Sequence, residues 1–384
     1  MKILLISMPS IHVVRWLDNL SEAGHELYWF DILGKGALPS SHSVHTFTNW
    51  QKRKFPYVKG EFFLRQKFPK FYSILQPFLE VTISEKLEEI INYVQPDLVH
   101  SFEMQSCSYP ILSTLQKYPH LKWLYSCWGS DLYRFKEQSS HVPRIKAILE
   151  RINYLHTDCN RDYLLAKSLG FTGLHSGVIP GGGGFRLEQF LPFVQPISTR
   201  KLILVKGYHH HVGRGLHIVQ ALELIQNEVA INGYEVVVFG AHPIVINYIA
   251  SKALPYRVYD RHALQHEALL QLMGKAILYV GNSISDGMPN TLLEAISMGA
   301  FPIQSNPGGV TAEIIDNGKN GFLIEDPNDI KALSVLLLRA LQQPELIVEA
   351  FEINQELAKE RLDYTTNQQK ILALYQQIEN EVCE

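Results

Sequence analysis

AILYVGNSISDGMPNTLLEAISMGAFPIQS, residues 276–305, is the stretch whose reading decides the fold. AILYVGN (276–282) is a short apolar run with the length and composition of a buried strand. A loop carrying Gly287 and Pro289 follows it, and TLLEAISMG (291–299) then reads as a helix closed by Gly299. FPIQS (301–305) returns to strand. Strand, helix, strand is a βαβ unit, and such units cross over right-handed onto a parallel sheet.

Moving outward, the same alternation recurs. KLILVKG (201–207) and YEVVVFG (234–240) read as strands. GLHIVQALELIQ (215–226) between them is a helix with Leu216, Val219, Leu222 and Leu224 to Ile225 on its buried side. From about Asp326 the chain is helical to the end. Its last helix carries Ile371, Leu374 and Ile378 on one face and needs a surface to cover it. The first half follows the same plan. Lys2–Ser7, HELYWFD (25–31), DLVHSF (97–102), KWLYSC (122–127) and GLHSGVIP (173–180) are strands, and the helix after the first aligns Val13, Leu17 and Leu20. Gly181 to Gly184 mark a bend or domain joint. The expected architecture is α/β, with two Rossmann-like, doubly wound domains. Residues 1–183 form the first, 184–200 a linker, 201–365 the second, and 366–384 a helix returning to the N-terminal domain. Two such domains face each other across a cleft at the carboxyl ends of their strands, where ligands bind.

Composition agrees. A chain of 384 residues suits two domains of somewhat under 200 each. With 46% apolar and 19% charged residues it is globular, and a net charge of −3 gives no sign of nucleic-acid binding. Cys107, Cys127, Cys159 and Cys383 form no CxxC pair and read as reduced, mostly buried thiols of a cytoplasmic protein. The opening MKILLISMPS is broken at Pro9, too early for a signal peptide, and no run of about 18 apolar residues offers a membrane span.

The loop before the 291–299 helix is the natural ligand site. Its glycine lets backbone approach a ligand, and the first turn of a helix presents unpaired N–H groups suited to a diphosphate. Asp286 in the loop and Glu294 one turn into the helix could accept hydrogen bonds from sugar hydroxyls. The alternative is a solvated loop acid and a helix-starting acid.

The frame Asp286, Gly287, Pro289, Glu294, Ala295, Gly299, Pro302 continues into Gly308-Gly309, Glu313 and NGKNGFLIEDPND (317–329). It resembles the donor-binding signature of the GT-B fold retaining glycosyltransferases, the GT4-like family also called glycosyl transferases group 1. The resemblance implies a nucleotide-sugar donor, with Glu294 on the ribose. Gly287, Met288, Pro289, Asn290 and Thr291 would face the donor sugar and diphosphate. Asp286 stands where the family has a Glu and is shorter by a methylene. Lys206 and Arg214, in VKGYHHHVGRG (205–215), correspond to the family's diphosphate-binding cations in swapped order; the alternative is two surface cations. An ammonium and a forked guanidinium can neutralise a departing diphosphate, so no metal and no other cofactor is required. Consecutive His209–His211 cannot easily share an ion.

HVVRWLDNLSEAGHEL (12–27) resembles a common opening of the same family and puts His12, Arg15 and Trp16 at the start of the first helix, with His12 and Arg15 towards the cleft. Alternatively Trp16 is core and Arg15 a surface ion. SCWGSDLYRF (126–135) resembles the WGSD turn of a family subset, with Trp128 where many relatives have His. Asp131 is then the polar residue expected to reach the cleft, or else a turn residue. Asp286, Asp131 and His12 are the candidates for the chemistry. No nucleophile is nominated, because in the family's usual account the donor phosphate helps deprotonate the acceptor. The acceptor would be a saccharide or lipid-linked saccharide in cell-surface polysaccharide or glycan assembly. WQKRKFPYVKGEFFLRQKFPKFY (50–72) interleaves seven Lys or Arg with aromatic rings and one acid, Glu61. This composition suits peripheral attachment to an anionic membrane; the alternative is a surface loop whose rings pack on the domain. Two other functions fit the same architecture. One is a sugar-nucleotide epimerase, which needs an acid–base pair. The other is a degenerate nucleotide-sugar-binding module, favoured by the departures at Asp286 and Trp128.

Overall fold

The computed structural model describes residues 1–36, 38 and 43–383. They divide into two compact units, one of the described residues within 1–157, 165–177 and 371–383, the other of 158–164 and 178–370.

The first unit holds β1 (Lys2–Ser7), β2 (Glu26–Asp31), β3 (His45–Phe47), β4 (Leu98–Phe102), β5 (Lys122–Ser126), β6 (Tyr154–Thr157) and β7 (Leu174–Val178). Their order in the sheet is 3-2-1-4-5-6-7. The pairs from β3 through β6 are parallel, with Ile3 opposite both Leu27 and Leu98. The second unit holds β8 (Leu202–Lys206), β9 (Glu235–Ala241), β10 (Arg257–Asp260), β11 (Ala276–Gly281), β12 (Phe301–Ser305) and β13 (Phe322–Ile324). They run in the order 10-9-8-11-12-13, again parallel. In each sheet the winding reverses once, between β1 and β4 and between β8 and β11. A ligand of a doubly wound sheet binds outside the carboxyl ends of the strands at that reversal.

Helices cover both sheets through apolar stripes. Ile11–Leu20 buries Val13, Trp16 and Leu17, so Trp16 is core. Gly215–Leu224 buries Ile218, Val219, Ala221 and Leu222. Val219, Leu222 and Ile225 are buried and Leu216 packs against them, as read from the sequence, whereas Leu224 is exposed. The terminal helix Tyr364–Cys383 returns to the first unit, as expected, and buries Ile371, Leu374, Tyr375 and Ile378. Its Tyr375 hydroxyl accepts from Trp16 Nε1 at 3.0 Å and lies 2.7 Å from His100 Nδ1. Cys107, Cys127 and Cys159 are buried thiols, while the side chain of Cys383 lies outside the described ones. No helix among the described residues is long and apolar enough to cross a membrane.

Candidate functional site

The reversal in the second sheet is built by two loops that lock onto each other. β8 ends at Lys206, and the chain then turns back at Gly207 to enter Gly215–Leu224. Only glycine fits that path. A Cβ on Gly207 would lie 2.8 Å from Ala241 Cα, and one on Gly215 would lie 2.6 Å from the Gly207 carbonyl carbon. The loop after β11 runs beside it. Arg214 N donates to Asn282 O and Ile284 N to Val212 O, both at 2.9 Å.

Between these loops lies a small cavity, lined by Lys206, Tyr208, His210, Asn282, Asp286 and Gln304 among others. It therefore holds a cation, a carboxyl and two amides. Burial pushes the Asp286 carboxyl up, and the Lys206 ammonium and the Gly287 N–H pull it back. Asn282 Oδ1 and Gln304 Oε1 are buried with no hydrogen-bond partner among the described residues. Buried acceptors are seldom left unsatisfied, so these two oxygens call for a donor, which a water or a ligand hydroxyl can supply. Neither amide stood out in the sequence. The signal was that both follow or end a buried strand at its carboxyl end.

Two of the three consecutive histidines fold the loop. His209 Nδ1 accepts from Leu216 N at 3.3 Å, and His210 Nδ1 accepts from Val212 N at 3.2 Å and from Gly213 N at 3.4 Å. A protonated ring could not accept these bonds. Burial, followed by neighbouring His211 and His242, pulls the His210 pKa down to about 4. The unfolded chain takes up its proton at about 6.5, so the neutral ring's contribution is intact above that pH and is lost as pH falls from there toward 4. Thermal stability is accordingly expected to be flat above neutrality and to decline through this window, read by calorimetric melting at stepped pH, while the folded-state His210 titration followed by NMR is centred at about 4. A His210 ring titrating at its ordinary value would contradict this.

Of the other donor-side candidates, Arg214 does not line the cavity. Its Nε donates to Asn328 Oδ1 and its Nη1 to Gly213 O, each at 2.9 Å, so it ties the loop to the segment after β13. The helix Asn290–Ser297 starts without a side-chain cap. Just before it, Gly287 N donates to Asp286 Oδ1, and Met288 N donates to Asp158 Oδ2 at 3.1 Å. Met288 and Pro289 are buried and Asn290 is half-buried. Thr291 Oγ1 meets the Tyr279 hydroxyl at 2.9 Å. Glu294 is buried, and its Oε1 lies 2.8 Å from His266 Nε2.

Residues 158–162 brace this site. Arg161 Nη1 donates to Pro307 O at 2.7 Å and Nη2 to Asp286 O at 2.9 Å, while its guanidinium also grips both Asp162 oxygens. Glu313 accepts from Asn160 N and Arg161 N. Asp158, Cys159 and Asp162 bring three potential ligand atoms within 4.8 Å of one another. The Arg161 guanidinium already holds Asp162, and its charge opposes a cation there.

In the first unit the segments that follow β1, β4 and β5 carry His12, Glu103 and the WGSD turn. His12 and Trp128 have ring centroids 5.2 Å apart. Asp131, expected to reach outward, turns inward. It accepts from Tyr125 Oη at 2.6 Å and from Met104 N and Trp128 N at 3.0 Å each, donors that come from β5, from the segment after β4 and from its own turn. Glu103 was not singled out by sequence. It sits at φ 69° and caps the following turn through Gln105 N and Ser106 N. Burial, then the Asp131 charge, pushes its carboxyl up to about 7.

Residues 191–372 match the family of glycosyl transferases group 1, and residues 35–159 match the glycosyl transferase 4-like family. No curated protein resembles the chain significantly in sequence. Among solved structures, the sucrose-phosphate synthase of Thermosynechococcus elongatus superposes with a TM-score of 0.71 at 17% identity, covering 99% of this chain and 100% of that one. A glycosyltransferase from Rickettsia africae gives 0.68 at 17%, covering 98% of each. Anabaena HepE, solved with UDP and glucose, gives 0.67 at 16%, covering 98% and 99%. With two Rossmann-like units, a polar cavity at the reversal of the second sheet and family matches over most of its length, this chain belongs to the group 1, GT4-like glycosyltransferases of the GT-B fold.

Proposed function

We propose that the protein transfers a sugar from a nucleotide-sugar donor to a saccharide or lipid-linked saccharide, with retention at the anomeric carbon, in assembly of a cell-surface polysaccharide or glycan. The carrying observation is the second-unit cavity, where Lys206 and Asp286 meet two unsatisfied amide oxygens. The UDP and glucose in HepE support a donor of this class. In the reaction the bond from the anomeric carbon to the terminal diphosphate oxygen breaks and the acceptor oxygen bonds to that carbon. The departing diphosphate helps take up the acceptor proton on the same face. Lys206 stabilises the charge that appears on the leaving group. Asp286, Asn282 and Gln304 accept from donor hydroxyls, and the loop 287–291 lies along the donor. No bound metal is required for this charge neutralisation.

Incubating the protein with a panel of nucleotide sugars and a cell lipid extract, followed by mass spectrometry, tests transfer, and NMR of the product gives the anomeric configuration. Donor binding with neither transfer nor hydrolysis would instead establish a binding module.

Glu294 is assigned to the ribose. A charge-assisted hydrogen bond is worth about 1.5–3 kcal/mol. Glu294→Ala is thus expected to weaken nucleotide binding roughly tenfold to a hundredfold, read by calorimetry, with the fold retained. Unchanged affinity would remove Glu294 from the donor site.

A further inference from the structure

Residues 50–80 are the place where the molecule exposes the apolar surface it would ordinarily bury. Helices Glu61–Lys67 and Pro69–Leu79 form a hairpin whose only buried side chains are Glu61 and Tyr72. Its rings point outward. Phe62 and Phe78 are each 70% exposed, and Phe63, Phe68, Phe71 and Ile74 are exposed with them. Phe71, Ile74 and Phe78 are spaced i, i+3, i+7 and so form one face of the second helix. No described residue covers this face.

Five of the seven cations divide into two sets. Arg53 makes a two-pronged pair with Glu61 at 2.6 and 2.8 Å and lies 3.5 Å from Glu80. The Tyr72 hydroxyl donates into the same cluster, to Glu61 at 2.9 Å. Lys54 is held by Glu85 and by the Pro77 carbonyl. These two fasten the hairpin at its base. Trp50 is likewise anchored, donating from Nε1 to Asp31 O at 2.7 Å. Lys59, Lys67 and Lys70 are exposed among the rings. Because Glu61, the only acid in the hairpin, is consumed by the clamp, every exposed charge on the face is positive, in a chain whose net charge is −3. At the base of the hairpin lies a cavity of about 540 Å³ whose lining includes Lys52, Tyr57, Arg65 and Gln76.

We propose that this hairpin docks the protein on an anionic lipid bilayer, with the rings in the interface, the lysines on headgroup phosphates and the cavity at its base open to a headgroup. Phenylalanines with flanking lysines match an interfacial helix. Protein interfaces are also rich in phenylalanine but are depleted in Lys, so the lysines set among the rings are what favour lipid. The inference stands independently of the donor chemistry. It also assigns the work differently from the sequence, since Arg53 and Lys54 hold the hairpin together rather than touch lipid.

The test is co-sedimentation of the full chain with vesicles of phosphatidylcholine alone or with a quarter phosphatidylglycerol, at low and high salt. Wild type is expected on the anionic vesicles at low salt only. Lys59, Lys67 and Lys70 changed to Gln should lower partitioning roughly fivefold per cation. Phe62→Ser with Phe78→Ser should weaken it even at low salt. Both variants should bind nucleotide normally, which shows that they are folded. Absence of wild type from anionic vesicles, or variants that sediment like wild type, would overturn the proposal. Sedimentation with neutral and anionic vesicles alike would also overturn it.

Discussion

Lys206→Ala is expected to lower kcat by roughly 10²-fold or more, with a much smaller change in donor KM. The ammonium sits at the carboxyl end of β8, in the cavity that also holds Asp286, and its value rises as the diphosphate leaves and charge accumulates. Ground-state binding uses the same contact less, because the donor's charge is then spread over two phosphates. Arg214→Ala separates the two cations. Its guanidinium is spent on Asn328 and on loop carbonyls, so its loss should slacken the loop and raise KM more than it lowers kcat. Steady-state kinetics with a short soluble acceptor measures both. If Arg214→Ala instead lost kcat and Lys206→Ala kept it, the roles would be reversed.

Arg161→Ala should have the largest effect on stability. Asp162 is fully buried and Arg161 is nearly so, and removing one member of a buried pair leaves the other charge uncompensated, at a cost of about 3–5 kcal/mol. For a unit of this size that lowers Tm by roughly 6–20 °C. The same change removes the donors to the Asp286 and Pro307 carbonyls, so surviving enzyme should bind donor poorly. Changing the pair together, Arg161→Met with Asp162→Leu, should recover much of the Tm, because replacing a buried pair by apolar groups is often neutral. Donor affinity should stay low, since methionine cannot donate to those carbonyls. Recovery of both, measured by calorimetric melting and nucleotide titration, would show that Arg161 supports the fold alone.

Most of the architecture was legible because long parallel strands announce themselves. β1, β2, β4, β5, β8, β9, β11 and β12 are runs of five to seven residues, nearly all buried, and a fully buried strand must be apolar on both faces. β3, β6, β10 and β13 escaped notice. They have three or four residues each, and β3, β10 and β13 lie at sheet edges where one side needs no partner. The donor loop was legible for a related reason. Its frame of Asp286, Gly287, Pro289 and Glu294 is local, packed into nine consecutive positions.

What the linear chain left open was direction and partnership. Asp131 and Asp286 are both acids in turns after strands, yet one faces inward onto four donors and the other lines a cavity. Side-chain direction depends on which backbone N–H groups a folded turn presents, and no residue spacing records that. Arg53 and Lys59 look alike in a basic run, but a carboxylate eight residues on claims the first and leaves the second exposed. Arg161 holds carbonyls 125 and 146 residues away. Backbone carbonyls carry no sequence signature, so a residue whose function is to hold them is identifiable only once the sheets have brought distant loops together.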